Sequence, residues 1–412
     1  MVPLVMAYKP LSAGSHPTCA VTSPGSLKCW GHNQWGSVGN GTTENQLLPV
    51  DVSGLSGGSL DASVSAVESG GTSNCALTTV GGVKCWGNPS SFQFVQDWVN
   101  VRPQWVRLSE GANGGIRYLT SGARGIAVGG GHTCVLMDTG GVKCWGDNTW
   151  GQLGVGTNTN TGRYEYPVEP IYLNRGVREI VAGMSNTCAR LEGGSVMCWG
   201  RDYGFRPVAA GVSSGAVALA GGSLHMCALL GTGGVKCWGS NNYGQLGDGS
   251  TTSRGTAMNV SGLSSGVTAI AAGHLSTCAL TTAGGVKCWG ENSGGQLGDG
   301  TSWTDRLTPV GVSGLSSGAI AIAAGVNHAC ALLSTGGIKC WGFNQGGILG
   351  DGTTTERLIP VDVVGYGSAL AIATPTVTPT STTLWTSTSN SNSAKGCWIS
   401  VSKSRPNNTT PS

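Results

Sequence analysis

The chain has 412 residues, of which 71 are glycine and only 10% are charged, for a formal net charge of +3. So weak a positive balance argues against nucleic-acid binding, and no run approaches the roughly 18 apolar residues that a spanning helix needs. No helical periodicity persists for three turns, and short apolar runs separated by glycine-rich turns point to an all-β chain.

Residues 1–14, MVPLVMAYKPLSAG, have neither a basic leader nor a continuous apolar core and make a poor secretory signal. From Cys19 onward one hairpin recurs: Cys, nine residues, Cys, then Trp. In chain order the pairs are Cys19/Cys29, Cys75/Cys85, Cys134/Cys144, Cys188/Cys198, Cys227/Cys237, Cys278/Cys288 and Cys330/Cys340. A period of about 50 residues marks a modular architecture whose units cannot each bury an apolar face alone. In CALTTAGGVKC a turn centred on Ala283 sets Cys278 opposite Cys288 and Leu280 opposite Val286, on one face of two antiparallel strands. Residues so opposed have Cα atoms about 4.5–5.5 Å apart, within reach of a disulfide. One cross-strand disulfide per repeat is expected, with reduced structural thiols as the alternative; zinc is not expected, because no C-x2-C knuckle occurs. Regular disulfides imply an oxidising compartment. The chain is therefore expected to begin inside a longer secreted or surface protein and to work outside the cell or on its envelope.

Each unit needs four short strands. Around Cys278 these are expected at 257–260, 268–273, 277–281 and 285–290, with the GQLGDGT stretch after each Trp carrying the chain from one unit to the next. Gly244, Gly247 and Gly249 suit left-handed or close-packed backbone, and Asp248 or Asp299 suits a turn cap. Each copy offers too few carboxylates for calcium. The A-I-A strand has an extra copy at 369–374, so strands from 358 to 374 are expected to pair with the first hairpin, 18–30, and close the ring from both termini. After 374 the composition turns to Thr, Ser, Pro and Asn: a linker over 375–395, then a stub or tail over 396–412 with the odd Cys397, a free thiol or an intermolecular partner.

The elements GGVKCWG, then N-x-x-GQLGDGT, a Pro-Val strand and A-I-A-A-G-x-x-H-T-C resemble the regulator of chromosome condensation repeat family, over residues 11 to 374. The resemblance implies a seven-bladed β-propeller. With paired cysteines it looks like the bacterial extracellular members, which act as interaction modules. The eukaryotic founder's activity, nucleotide exchange on a small GTPase, is the alternative the family implies. It would need a reducing compartment and a wedge, for which the insertion at 88–125 is the candidate.

Departures from the repeat single out the candidate binding surface. GQLG-like segments follow Cys29, in degenerate form, and Cys144, Cys237, Cys288 and Cys340, but are absent after Cys85 and Cys198. Ten of the fourteen arginines fall between Arg102 and Arg206. Aromatic residues and arginine dominate protein-binding hot spots. The candidate residues are Trp98, Arg102, Trp105, Arg107, Arg117, Tyr118, Arg163, Tyr164 and Tyr166; the competing reading is that irregular repeats repack on their own aromatics. Tyr203 and Phe205, with Arg201 and Arg206, extend the same pattern. The repeated Trp30, Trp86, Trp145, Trp199, Trp238, Trp289 and Trp341 are expected to pack between units, with sugar stacking on them as a third class of function. His132, His225, His274 and His328 recur with the repeat and so do not form one catalytic site. No phosphate-loop motif occurs. The expectation is a monomeric, non-catalytic propeller with no cofactor, no metal and an unidentified protein partner.

Overall fold

The computed structural model describes residues 9–366 apart from 23–24, 60–62, 89–99, 111–115 and 158–161. Its strands form seven four-stranded antiparallel sheets, each built from strands consecutive in sequence. Blade 6 is typical: Val267–Ala272, Ser276–Thr281, Val286–Gly290 and Arg306–Gly311. The innermost strand of each blade packs on that of the next, and the first blade's, Leu11–Ala13, packs on the seventh blade's, Ala319–Ala324. The chain is thus an all-β, seven-bladed propeller.

Register follows from the repeat. Cys278 faces Cys288 and Leu280 faces Val286. All seven expected pairs are disulfides: Cys19–Cys29, Cys75–Cys85, Cys134–Cys144, Cys188–Cys198, Cys227–Cys237, Cys278–Cys288 and Cys330–Cys340. In each the Cα atoms are 4.1 Å apart, closer than the spacing expected for opposed residues, because the covalent bridge draws the two strands together. Successive strand residues point to opposite faces, so the Cys-Trp step places the disulfide on one face of the blade and the indole on the other. Each seam between blades therefore joins one disulfide to the next blade's tryptophan. Between blades 6 and 7, Cys278, Leu280, Val286 and Cys288 meet Ala329, Ala331 and Trp341. Between blades 1 and 2, Cys19 and Cys29 meet Trp86, and between blades 3 and 4, Cys134 and Cys144 meet Trp199. Gly290, at φ 101°, follows the tryptophan and carries a bulge in the pairing to the fourth strand. The same shift in register falls between Cys29 and Gly31 and between Cys144 and Gly146.

The seam also has a polar lock. The indole Nε1 of Trp289 donates to the Gln245 carbonyl of the preceding blade at 2.9 Å, and Thr277, the cross-strand neighbour of Trp289, donates to the same oxygen at 2.9 Å. Trp199 and Thr187 hold Gln152 O in the same way, and Trp30 and Thr18 hold Ile348 O. Trp86 and Trp341 bond to Ser37 O and Gln296 O. A histidine backs the threonine: His225 Nε2 lies 2.9 Å from Thr277 Oγ1, His132 2.8 Å from Thr187 and His328 2.8 Å from Thr18. Each threonine gives its one proton to the carbonyl, so each histidine donates through Nε2. Burial pushes His132 down to about 4, and His225 and His328 to about 3.

Around the axis the first turns of the blades form a belt. A Cβ on Gly70, Gly129, Gly183, Gly222, Gly273 or Gly325 would stand 2.2 to 2.7 Å from the carbonyl oxygen of the matching glycine in the next blade. Main-chain bonds such as Ser15 N to Gly70 O and His274 N to Gly325 O tie neighbouring turns together. Below the belt the inner strands enclose a channel of about 420 Å3, walled mainly by alanine and isoleucine, where Lys9 pairs with Glu68.

Three expectations about connectivity are corrected. The strand after residue 357, Arg357–Asp362, pairs with Ile338–Gly342 in its own blade, and the first hairpin takes its inner neighbour from Leu11–Ala13. The ring closes by packing: Leu11, Ala13 and Trp30 of blade 1 meet Ala323, Cys330, Cys340 and Tyr366. Residues 369–374, the linker, the tail and Cys397 lie outside the described residues. The stretch near 257–260 is the outer strand of the preceding blade, with Met258 opposite Cys237. The GQLG-like segments after Cys29, Cys144, Cys237, Cys288 and Cys340 do not join blades; each links the third and fourth strands of one blade and leans on the next. So Cys29 has Val50, beyond its segment, as its outer-strand partner, and Cys144 has Val168. The segment folds back because its Asn anchors it: Asn241 Oδ1 accepts from Leu246 N and its Nδ2 donates to Ser250 O. Asn33 and Asn148 hold the segments after Cys29 and Cys144 alike, through Val38 N and Leu153 N.

Two tests follow. Gly70→Ala should lower stability by about 2 kcal/mol or more, since its Cβ meets backbone 2.2 Å away, whereas Gly311→Ala, with nothing within 4 Å, should change it by under about 0.5 kcal/mol; equal melting of the two variants would contradict the belt. A histidine held neutral in the fold but free to take a proton when unfolded costs stability as pH falls from its unfolded value near 6.5 toward 4. The His225→Ser variant, using the residue blade 6 has at this place (Ser276), should show an acid-side slope smaller by about 1.4 kcal/mol per pH unit in denaturant titrations. An unchanged slope would contradict the neutral buried histidine.

Candidate functional site

The residues that carry chemistry in every repeat are spent inside the fold. All seven repeat tryptophans are at most 1% exposed, which removes them as sugar platforms. Asp248 caps its turn as expected, accepting from Ser250 N and Oγ, and its second oxygen takes Arg254 Nε at 3.2 Å. Asp299 and Asp351 are engaged likewise by Thr301 with Arg306 and by Thr353 with Arg357. These hydrogen bonds outweigh partial burial and hold all three carboxyls below their ordinary value.

What remains on the surface is where the repeat breaks. Asn100–Trp105 is the outer strand of blade 2, and after it comes an extra hairpin, Arg107–Glu110 paired with Ile116–Tyr118. This hairpin packs on Arg163–Val168, the outer strand of blade 3. The structure so brings Arg107, Arg117, Tyr118, Arg163, Tyr164 and Tyr166 onto two adjoining elements. Trp105 joins them at the foot of its strand, where its ring takes the Lys84 ammonium at 4.6 Å. Arg102 stands near the other end, beside Gly41 of blade 1, so it does not share that cluster. Tyr164 is drawn partly into the core between blades 3 and 4, while Tyr118 is 44% exposed. Arg107, Arg163 and Tyr166 each have interaction partners of their own. Trp98 lies outside the described residues.

Sequence inspection passed over a second set. Trp35, Trp150 and Tyr243 occupy one equivalent position in the third-to-fourth-strand loops of blades 1, 3 and 5, and all are exposed. The available signal was the aromatic residue before Gly in HNQWG, DNTWG and NNYG. Trp303, 83% exposed, was also passed over; it and Tyr172, one of the aromatics of the irregular repeats, sit in left-handed backbone at φ 57° and 65°. No helix among the described residues is long and apolar enough to cross a membrane, and among them no cluster of His, Cys, Asp and Glu could hold a metal ion.

The regulator of chromosome condensation (RCC1) repeat profiles match residues 24–77, 139–190, 232–280 and 283–332, and again 123–152, 216–245, 267–296 and 319–348. The matched stretches leave out 78–122 and 191–215, the two irregular regions. Human E3 ubiquitin-protein ligase HERC2 is 29% identical over 360 residues, which are 86% of this chain but 6% of that protein. The Arabidopsis thaliana ultraviolet-B receptor UVR8 is 27% identical over 368 residues, 85% of this chain and 80% of its own. Among solved structures, human WBSCR16 superposes with a TM-score of 0.68 at 21% identity, covering 82% of this chain and 93% of that one. Prp20p of Saccharomyces cerevisiae does so with 0.68 at 17% identity, covering 87% of each. With matched repeats spanning more than half its length, the chain belongs to the regulator of chromosome condensation repeat family.

Proposed function

We propose that the propeller is a protein-interaction module without chemistry of its own, working outside the cell or on its envelope, with its binding surface on the irregular blades. The observation that carries this is the division of labour among side chains. The recurring tryptophans and cysteines of the repeats are buried in the seams, whereas aromatic and arginine side chains collect where the repeat fails. The seven disulfides support an oxidising setting. Among relatives, the structure of Prp20p is described with its binding to Gsp1p and histones, a protein-binding role for the same fold. An exchange role here would fall to the extra hairpin at 107–118, but in a reducing compartment that suits these disulfides poorly.

On this proposal Arg102→Ala, Trp105→Ala and Tyr118→Ala should each weaken partner binding by about 1–3 kcal/mol while changing melting little. Trp289→Ala should instead destabilise by about 3–5 kcal/mol through lost packing. The check is calorimetric binding to a partner identified by cross-linking on the native surface, beside thermal unfolding of each variant. Binding indifferent to all three surface substitutions would return those residues to repacked filler.

A further inference from the structure

Blade 4 lacks the loop that every neighbouring seam uses. Its third and fourth strands, Val196–Gly200 and Gly204–Ala209, are joined by residues 201–203 alone, where other blades have 32–45, 148–162, 240–253, 291–305 or 343–356. The strand pairing is otherwise intact, with Cys198 opposite Val208 as Cys288 is opposite Val310. The short turn is held by Asp202 at φ 72°, a conformation Asp tolerates better than most residues. On the face that carries the other blades' loops, blade 4 is therefore a notch between the loops of blades 3 and 5.

The seam beneath is correspondingly incomplete. Trp238 is 0% exposed, yet its Nε1 has no hydrogen-bond partner, although Trp30, Trp86, Trp199, Trp289 and Trp341 each hold a main-chain carbonyl. Met226 replaces the threonine opposite it. Asn186, which stands where three other blades have the histidine, is 1% exposed and its Oδ1 also has no partner. The buried indole donor of Trp238, costly to leave unmade, thus lies in the seam whose loop is missing, whereas Asn186 Oδ1 sits against the axial Gly183 turn, as the His132 and His225 rings sit against Gly129 and Gly222. Tyr203 leans on this seam. Burial pushes its hydroxyl up to about 12, and its polar contact with the Trp238 side chain pulls the other way, although that contact falls short of hydrogen-bond geometry at Trp238 Nε1.

The rim states what would fill it. Arg201 lies over the Trp150 ring at 5.0 Å, and Phe205 rests on Gly151. Arg201 and Arg206 form no ion pair with any described carboxylate. A peptide group offers the carbonyl that Trp238 lacks. The aromatic rings and the two guanidinium groups suit an adjoining apolar side chain and a carboxylate. We infer that this notch receives a protruding, acidic main-chain loop of a partner protein, which completes the blade 4 to blade 5 seam in trans as the chain's own loops complete the others. This rests on the interaction reading above but places contact on a different surface.

The test uses the full chain, a graft that replaces residues 201–203 with the sequence of 240–253, and the point variants Trp238→Phe and Tyr203→Phe. The graft should raise melting by about 3 °C or more by supplying the carbonyl, and Tyr203→Phe should leave melting unchanged. A phage library of short disulfide-closed loops, panned on the wild-type chain, should yield Asp- or Glu-bearing loops. These should lose about ten-fold or more in affinity on Trp238→Phe and on the graft, and weaken with added salt. The inference is overturned if no loop is enriched, if enriched loops bind the graft as well as the wild type, or if Tyr203→Phe lowers melting, because Tyr203 would then already satisfy Trp238. Should the graft fail to fold, Trp238→Phe and Arg201→Ala decide by the same affinities. A natural partner that binds the graft normally but is lost on Trp105→Ala or Tyr118→Ala would overturn the notch and leave the interaction module standing.

Discussion

Everything in this propeller hangs on one dipeptide. Because strand side chains alternate, Cys followed by Trp cannot point the same way, and a blade that buries a disulfide on one face must present an indole on the other. Repeating that step seven times makes every seam the same heterologous contact, disulfide against tryptophan, and a chain of such contacts closes only as a ring. Burying one indole completely is worth about 3–5 kcal/mol. The carbonyl that the indole holds also ties each blade to its neighbour's loop. The first and seventh blades need no shared strand because Trp30 meets the seventh blade through the same contact, down to its bond with Ile348 O.

This economy has a functional consequence. Tryptophan, histidine, threonine and aspartate are the residues most often recruited for binding and catalysis, and here the repeat has committed them to its own seams. Specificity must then come from positions the seam does not need: the outer strands, the loops beyond their anchoring Asn, and the places where a loop has been enlarged or lost. Blades 2 and 3 add a hairpin and display Trp105, Arg117 and Tyr118. Blade 4 subtracts a loop, and the Trp238 indole of the next blade is left without a carbonyl. Addition and subtraction break the symmetry on different parts of the ring.

The hairpin register and all seven cysteine pairs were legible in the sequence because they depend only on local spacing, and the number of blades because the copies could be counted. Blade boundaries were not. GQLGDGT reads as a connection, and only the Asn241 anchor shows that it returns to its own sheet. The closing strand was misjudged because LSA, only three residues long and directly after Pro10, is a weaker strand signal than the extra AIA at 371–373. The likeness of LLPVDV at 47–52 to LIPVDV at 358–363 does mark both as outer strands of their own blades. In the candidate surface, composition drew attention to the irregular repeats but could not tell that Arg102 and Trp105 lie toward opposite ends of one strand, or that Tyr164 turns partly inward. The unmet donor at Trp238 was beyond sequence, since it is defined by a partner in the neighbouring blade.

The central claim, that oxidised Cys-Trp seams build the ring and place it in an oxidising compartment, is tested most directly by peptide mapping under non-reducing conditions. The protein would be taken from its native compartment and alkylated at once. The fourteen seam cysteines should resist alkylation and appear as seven peptides, each linking a cysteine to the one ten positions later, from Cys19 with Cys29 to Cys330 with Cys340. Alkylation of these cysteines in the folded native protein, or links between different blades, would contradict it.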